Sequence, residues 1–146
     1  MRRFTMIATA ALVALMASAV VAQQVTAPAD LDATMKRVGP ASQAVGKAIA
    51  SMAYADARAQ LVIERQGILE AQAYFTAHTS EDGMKFAVNV LTQLAAVDAL
   101  LAAPMVDQMA AQAAAKQVQG ACMQCHMQFR VRDEMMNWIL KPGSVQ

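Results

Sequence analysis

Apolar residues recur every three or four positions along most of the chain, and this spacing predicts amphipathic helices. The predicted helices run from about Ala29 to Met52, from Tyr54 to Ala77, from Met84 to Ala103 and from Met105 to Glu134, with a tail from Met135 to Gln146. Four such helices with short connections favour an all-α fold, an antiparallel four-helix bundle.

The first predicted helix carries its buried side chains on one stripe, as the seam of a bundle does. The stripe consists of Leu31, Met35, Val38, Ser42, Val45, Ile49 and Met52. Asp30 is expected to cap this helix, and Pro40 removes one backbone donor inside it. The segment from His78 to Gly83 predicts a turn, with Ser80 suited to cap the third helix.

The start of the chain resembles an export signal. Two arginines precede an apolar stretch, and Val20 and Ala22 occupy the −3 and −1 places of a cleavage site before Gln23. An uncleaved membrane anchor is the alternative, although the apolar run is short for a span of about 20 residues. We therefore expect residues 1–22 to be a cleaved secretory signal peptide. Residues 23–146 would then form one periplasmic domain with no stable membrane span.

Composition and charge exclude some functions. The net charge is +1 and no run of five like charges occurs, whereas nucleic-acid binding needs a clustered basic surface. No nucleotide loop, catalytic triad or paired-carboxylate site stands out from the sequence. We therefore expect neither a nucleic-acid partner nor an enzyme.

The segment Cys122-Met-Gln-Cys125-His126 carries the most specific chemistry in the sequence. Residues three apart on a helix lie on the same side, so the two thiols can each add to one vinyl group of a haem. The adjacent imidazole of His126 then faces the iron. This spacing predicts a covalently attached haem c.

Three other interpretations of the cysteine pair remain open. A redox-active dithiol normally lies at a helix N-terminus, and this pair lies deep in the last predicted helix. A disulfide between residues three apart closes almost no loop and would stabilise little. A structural zinc site needs about four ligands, and His78 is the only other histidine.

The chain resembles the cytochrome c-prime family, and most closely its low-spin cytochrome c-556 type. The resemblance rests on Cys122, Cys125 and His126, followed by Phe129 and Arg130, in the last of four helices of an exported chain. It implies a four-helix bundle that holds the haem near one end. A homodimer is compatible with this resemblance.

The resemblance also implies a second iron ligand from the first helix. The run Met35-Lys36-Arg37-Val38-Gly39 is similar to the c-556 pattern around its distal methionine, so Met35 is the expected ligand. A thioether sulfur suits haem iron, although methionine also fills cores well. Phe129 is expected to pack against the haem edge and Arg130 to pair with a haem propionate.

Other positions carry weaker expectations. Lys36 and Arg132 are further propionate candidates, and His78 is expected to be a solvated loop residue. The sequence departs from the family at Leu31, where an arginine is usual, at Pro40, and in the long tail.

Two functions follow from these expectations. The first is a periplasmic electron carrier that exchanges electrons with redox partner proteins. Its haem iron would be six-coordinate, with His126 and Met35 as the ligands. The alternative is a five-coordinate module of the cytochrome c-prime type that binds nitric oxide or carbon monoxide. There Met35 would only crowd the distal face.

Overall fold

Four helices account for most of the computed structural model, which describes residues 25–145. They are α1 (Pro28–Ala50), α2 (Tyr54–Ala77), α3 (Glu81–Leu101) and α4 (Gln108–Phe129). Each helix packs against the next, and α1 also packs against α4. Because the connections are short, neighbouring helices run antiparallel, and the predicted four-helix bundle is confirmed. The expected signal peptide lies outside the described residues.

The helix starts show which capping expectations hold. Ser80 precedes α3, and its hydroxyl accepts a hydrogen bond from the Gly83 N–H at 3.3 Å, as expected. Asp30 is not the N-cap of α1. The cap is Ala27, whose backbone N–H donates to the Asp30 carboxylate at 3.0 Å. Helix α1 then continues through Pro40, whose side chain faces solvent.

The boundary between α1 and α2 falls where the sequence has neither glycine nor proline. Helix α1 ends at Ala50, and Met52 adopts a left-handed backbone with φ of 60°. This conformation is uncommon for a residue with a side chain. The predicted stripe therefore loses its last member, since Met52 is 65% exposed.

The end of the chain differs from the all-α prediction. Helix α4 stops at Phe129 rather than Glu134, and two short antiparallel strands follow, β1 (Arg130–Arg132) and β2 (Trp138–Leu140). The turn between them closes where the Asn137 N–H donates to the Asp133 carboxylate at 2.7 Å. The strands satisfy backbone groups that a longer helix would otherwise have bonded internally.

The hydrophobic core divides into two clusters. The central cluster joins all four helices along the bundle. The second, which we call the end cluster, lies where α1 and α3 begin and where α2 and α4 end. It consists of Val25, Leu31, Ala71, Tyr74, Phe75 and Phe129.

Among residues 25–145, α3 is the one helix whose length and composition alone would allow it to cross a membrane. Its apolar face nevertheless packs in the bundle. The buried residues of this face are Ala87, Val90, Leu94, Val97 and Leu101.

Gly67 lies where α2 packs tightly against α1. A Cβ atom at this position would overlap the Val38 side chain. We expect Gly67→Ala to lower the free energy of unfolding by up to about 2 kcal/mol, because overpacking costs about 1–3 kcal/mol while alanine favours the helix by about 1 kcal/mol. Urea denaturation measures the difference.

Gly39→Ala is the matched control for Gly67→Ala. Gly39 is also a helical glycine, but nothing lies within 4 Å of its virtual Cβ. This variant should be as stable as the original protein or more stable, by up to about 1 kcal/mol. Equal effects at both positions would contradict close packing at Gly67.

Candidate functional site

The two cysteines lie in the last turns of α4, on the side that faces the bundle. Both are half-buried, and both are free thiols. Cys122 packs against the central cluster and Cys125 against the end cluster. The two thiols therefore lie one turn apart on one side of the helix, as predicted, and the structure places them at the junction of the two clusters.

Burial keeps both thiols protonated. It raises the pKa of Cys125 to about 11 and, with added repulsion from the Glu64 and Cys125 charges, that of Cys122 to about 12. A redox-active dithiol needs the opposite shift, because the thiolate is the nucleophile in disulfide exchange. The environment of this pair therefore does not favour the dithiol interpretation.

His126 occupies the last turn of α4 and is half-buried. Burial lowers the pKa of its imidazole, and the nearby positive charge of Arg130 lowers it further. Both effects favour the neutral ring, which is the form that can bind a metal. The Arg130 N–H donates to the His126 carbonyl and holds the end of this helix.

Met35 reaches the same region from α1. It is half-buried and packs against both the central cluster and the end cluster. These are the clusters that Cys122 and Cys125 contact from α4. The structure thus brings Met35 to the level of the cysteine motif, on a helix that packs against α4.

Phe129 is the core residue of the site. Its side chain is 4% exposed, and its ring centroid lies 5.0 Å from that of Phe75 and 6.2 Å from that of Phe86. It belongs to the end cluster, against which Cys125 packs. The ring is already packed by aromatic neighbours. Its contact with a haem edge stays a prediction.

We expect Phe129→Ala to lower the free energy of unfolding by about 3–5 kcal/mol, the usual cost of emptying a buried phenylalanine site. Urea denaturation followed by circular dichroism measures this loss. Met127→Ala, two residues earlier, is the control. Met127 is 74% exposed, so its removal should change the stability by no more than about 0.5 kcal/mol.

Arg130 lies at the junction of α4 and the β-hairpin. Its guanidinium stands 4.9 Å from the centroid of the Trp138 ring, and that of Arg132 stands 4.2 Å from the same ring. Both cations thus contact the Trp138 ring, which stabilises the hairpin next to the end of α4. Whether Arg130 also pairs with a propionate stays a prediction.

Two other candidates have partners within the protein. Lys36 pairs with Asp32 on the exposed face of α1 at 2.7 Å. His78 follows the last residue of α2 and is half-buried rather than fully solvated, with its ring centroid 4.2 Å from that of Tyr74.

Glu64 is a buried residue that was not predicted from the sequence. This carboxylate is only 1% exposed, and its Oε1 atom has no hydrogen-bond partner. A signal was present, because Glu64 follows Leu61 by three residues and precedes Ile68 by four, on the buried stripe of α2.

In the part of the chain that the structure describes, no three or more His, Cys, Asp or Glu side chains form a metal-binding group. The site instead offers one imidazole, one thioether and two thiols. Comparisons of the chain with protein-family models, with curated proteins and with solved structures find no match. The resemblance to cytochrome c-prime therefore rests on the motif residues of this sequence alone.

Proposed function

We propose that this protein is a periplasmic electron carrier with one covalently attached haem c. Cys122 and Cys125 would hold the haem through thioethers, and His126 and Met35 would ligate the iron. The observation that carries the proposal is the pair of half-buried free thiols one turn apart on α4, followed directly by a half-buried imidazole.

The residues present fit a haem c. Two free thiols on one side of a helix match the two vinyl groups of the porphyrin, and the imidazole and thioether supply one nitrogen and one sulfur donor. When bound, the haem supplies one-electron transfer between the ferric and ferrous states.

The chain itself would tune that chemistry in three ways. His126 from α4 and Met35 from α1 would supply the two axial ligands, and this His/Met combination raises the reduction potential. The central and end clusters provide apolar surroundings. Helix α4 keeps the thioether positions rigid, because both cysteines lie within a continuous helix.

An absorption spectrum with and without carbon monoxide tests the proposal. The protein is produced in a bacterial host with active c-type cytochrome maturation and reduced with dithionite. We expect a low-spin spectrum that carbon monoxide changes only slowly. Rapid formation of a carbon monoxide complex would contradict six-coordinate iron and favour the gas-binding alternative.

A further inference from the structure

Glu64 is the buried charged group that the proposed function does not use. It projects from α2 into the bundle, where it is 1% exposed. The side chains around it come from the other three helices. These neighbours are Ser42 and Val45 from α1, Leu94 and Val97 from α3, and Ala115 and Val118 from α4.

Nothing around Glu64 neutralises a negative charge. Within residues 25–145 no lysine, arginine or histidine forms an ion pair with it, and Ser42 is the polar neighbour that lies beside it. The gap that these side chains line has no room for a water molecule. A buried carboxylate in such surroundings is costly, and binding a proton removes that cost.

The position of Glu64 places it close to the cysteine motif. Val118, which lines the same gap, precedes Cys122 by four residues, or about 6 Å along the helix axis. The charge of Glu64 also reaches the Cys122 thiol and raises its pKa. Cys122 is the ionisable group that faces Glu64 from α4, and a thioether at this position would no longer titrate.

We propose that Glu64 is a proton-binding site coupled to the oxidation state of the haem; this inference rests on the proposed function. When a one-electron donor protein reduces the ferric iron to the ferrous state, the Glu64 carboxylate takes one proton from solvent and becomes a neutral carboxyl group. Oxidation releases the electron to an acceptor protein and the proton to solvent. Each proton bound on reduction is released on oxidation, so the cycle balances. With a coupling of about one pKa unit, the average uptake stays below one proton per electron.

The expected coupling follows from distance and charge. Ser42, which lies beside Glu64, follows Met35 by seven residues on α1. Along the helix axis, Glu64 is therefore roughly 10 Å from the proposed iron ligand Met35. At an effective dielectric constant of about 20, one added electron at this distance raises the pKa of the carboxyl group by about one unit. Burial already raises the pKa of Glu64 above its ordinary value of 4.5. The pH-dependent change in the midpoint potential should therefore lie above that pH.

Potentiometric titration of the haem-loaded protein at a series of pH values tests the inference. As the pH rises, we expect the midpoint potential to fall by about 59 mV from one plateau to a second. For a one-electron couple this is the equivalent of a tenfold change in the equilibrium constant. Glu64→Gln should remove this step. Glu70→Gln on the same helix should keep it, because hydrogen bonds from Thr34 and Arg37 outweigh burial and keep the pKa of Glu70 low.

The outcomes separate this inference from the proposed function. A protein without covalent haem would contradict the proposed function itself. A haem-loaded protein without the step, or a Glu64→Gln variant that retains it, would overturn only the role of Glu64. If Glu64→Gln takes up no haem, the infrared difference spectrum of the original protein decides. The carbonyl band of a protonated carboxyl group should appear on reduction, and its absence overturns the inference.

Discussion

Replacement of both Cys122 and Cys125 by serine is expected to abolish covalent haem attachment. The thioethers need a sulfur atom at each position, and serine keeps the size and helical backbone of the site without it. The unsubstituted protein from a host with c-type maturation should exceed the mass of its polypeptide by the mass of one haem. After the change its mass should be that of the polypeptide alone, and haem staining on a denaturing gel should be lost completely.

Exposed neighbours of the cysteines supply the control. Met123 and Met127 lie in the same turns of α4, with 55% and 74% of their surfaces exposed. Serine at both of these positions should leave haem attachment unchanged. If the unsubstituted mature protein from such a host has the mass of its polypeptide alone, the assignment of the cysteine motif to haem is wrong.

Replacement of Met35 by alanine is expected to convert the haem from low-spin to high-spin. The thioether sulfur is the proposed second axial donor, and alanine has no donor atom at this position. The iron would then keep His126 as its one protein ligand. The absorption spectrum should change to the high-spin form, and carbon monoxide should bind the reduced variant rapidly.

Met84 offers a matched control for Met35. It is also a half-buried methionine that packs against the end cluster, but it lies on α3. Met84→Ala should keep the low-spin spectrum, because it removes packing without removing a ligand. An unchanged low-spin spectrum in Met35→Ala would exclude Met35 as the iron ligand.

The helices were predictable from the sequence where periodicity was strong. Helix α2 begins and ends at the predicted residues, Tyr54 and Ala77. The errors fall where a boundary has no local marker. Met52 takes a left-handed conformation that ends α1, where the Ala53 N–H donates to the Ala48 carbonyl at 2.8 Å. Strand β1 forms because the Asp133–Asn137 turn brings the tail back.

The candidate site was also predictable only in part. Cys122, Cys125 and His126 are adjacent in sequence, so their spacing alone indicates their chemistry. The nearness of Met35 and the isolation of Glu64 depend on how the helices pack, which periodicity does not specify. A carboxylate on an apolar stripe is nonetheless a sequence signal that merits attention in other bundles.

The two helices that carry the proposed iron ligands are the first and the last of the chain. Most contacts in this bundle join helices that are neighbours in sequence, whereas the contact of α1 with α4 closes a long loop and carries its entropy cost. Local unfolding that releases α1 would separate Met35 from the iron while the thioethers keep the porphyrin on α4. We therefore expect a partly unfolded species with one axial position free to appear before global denaturation.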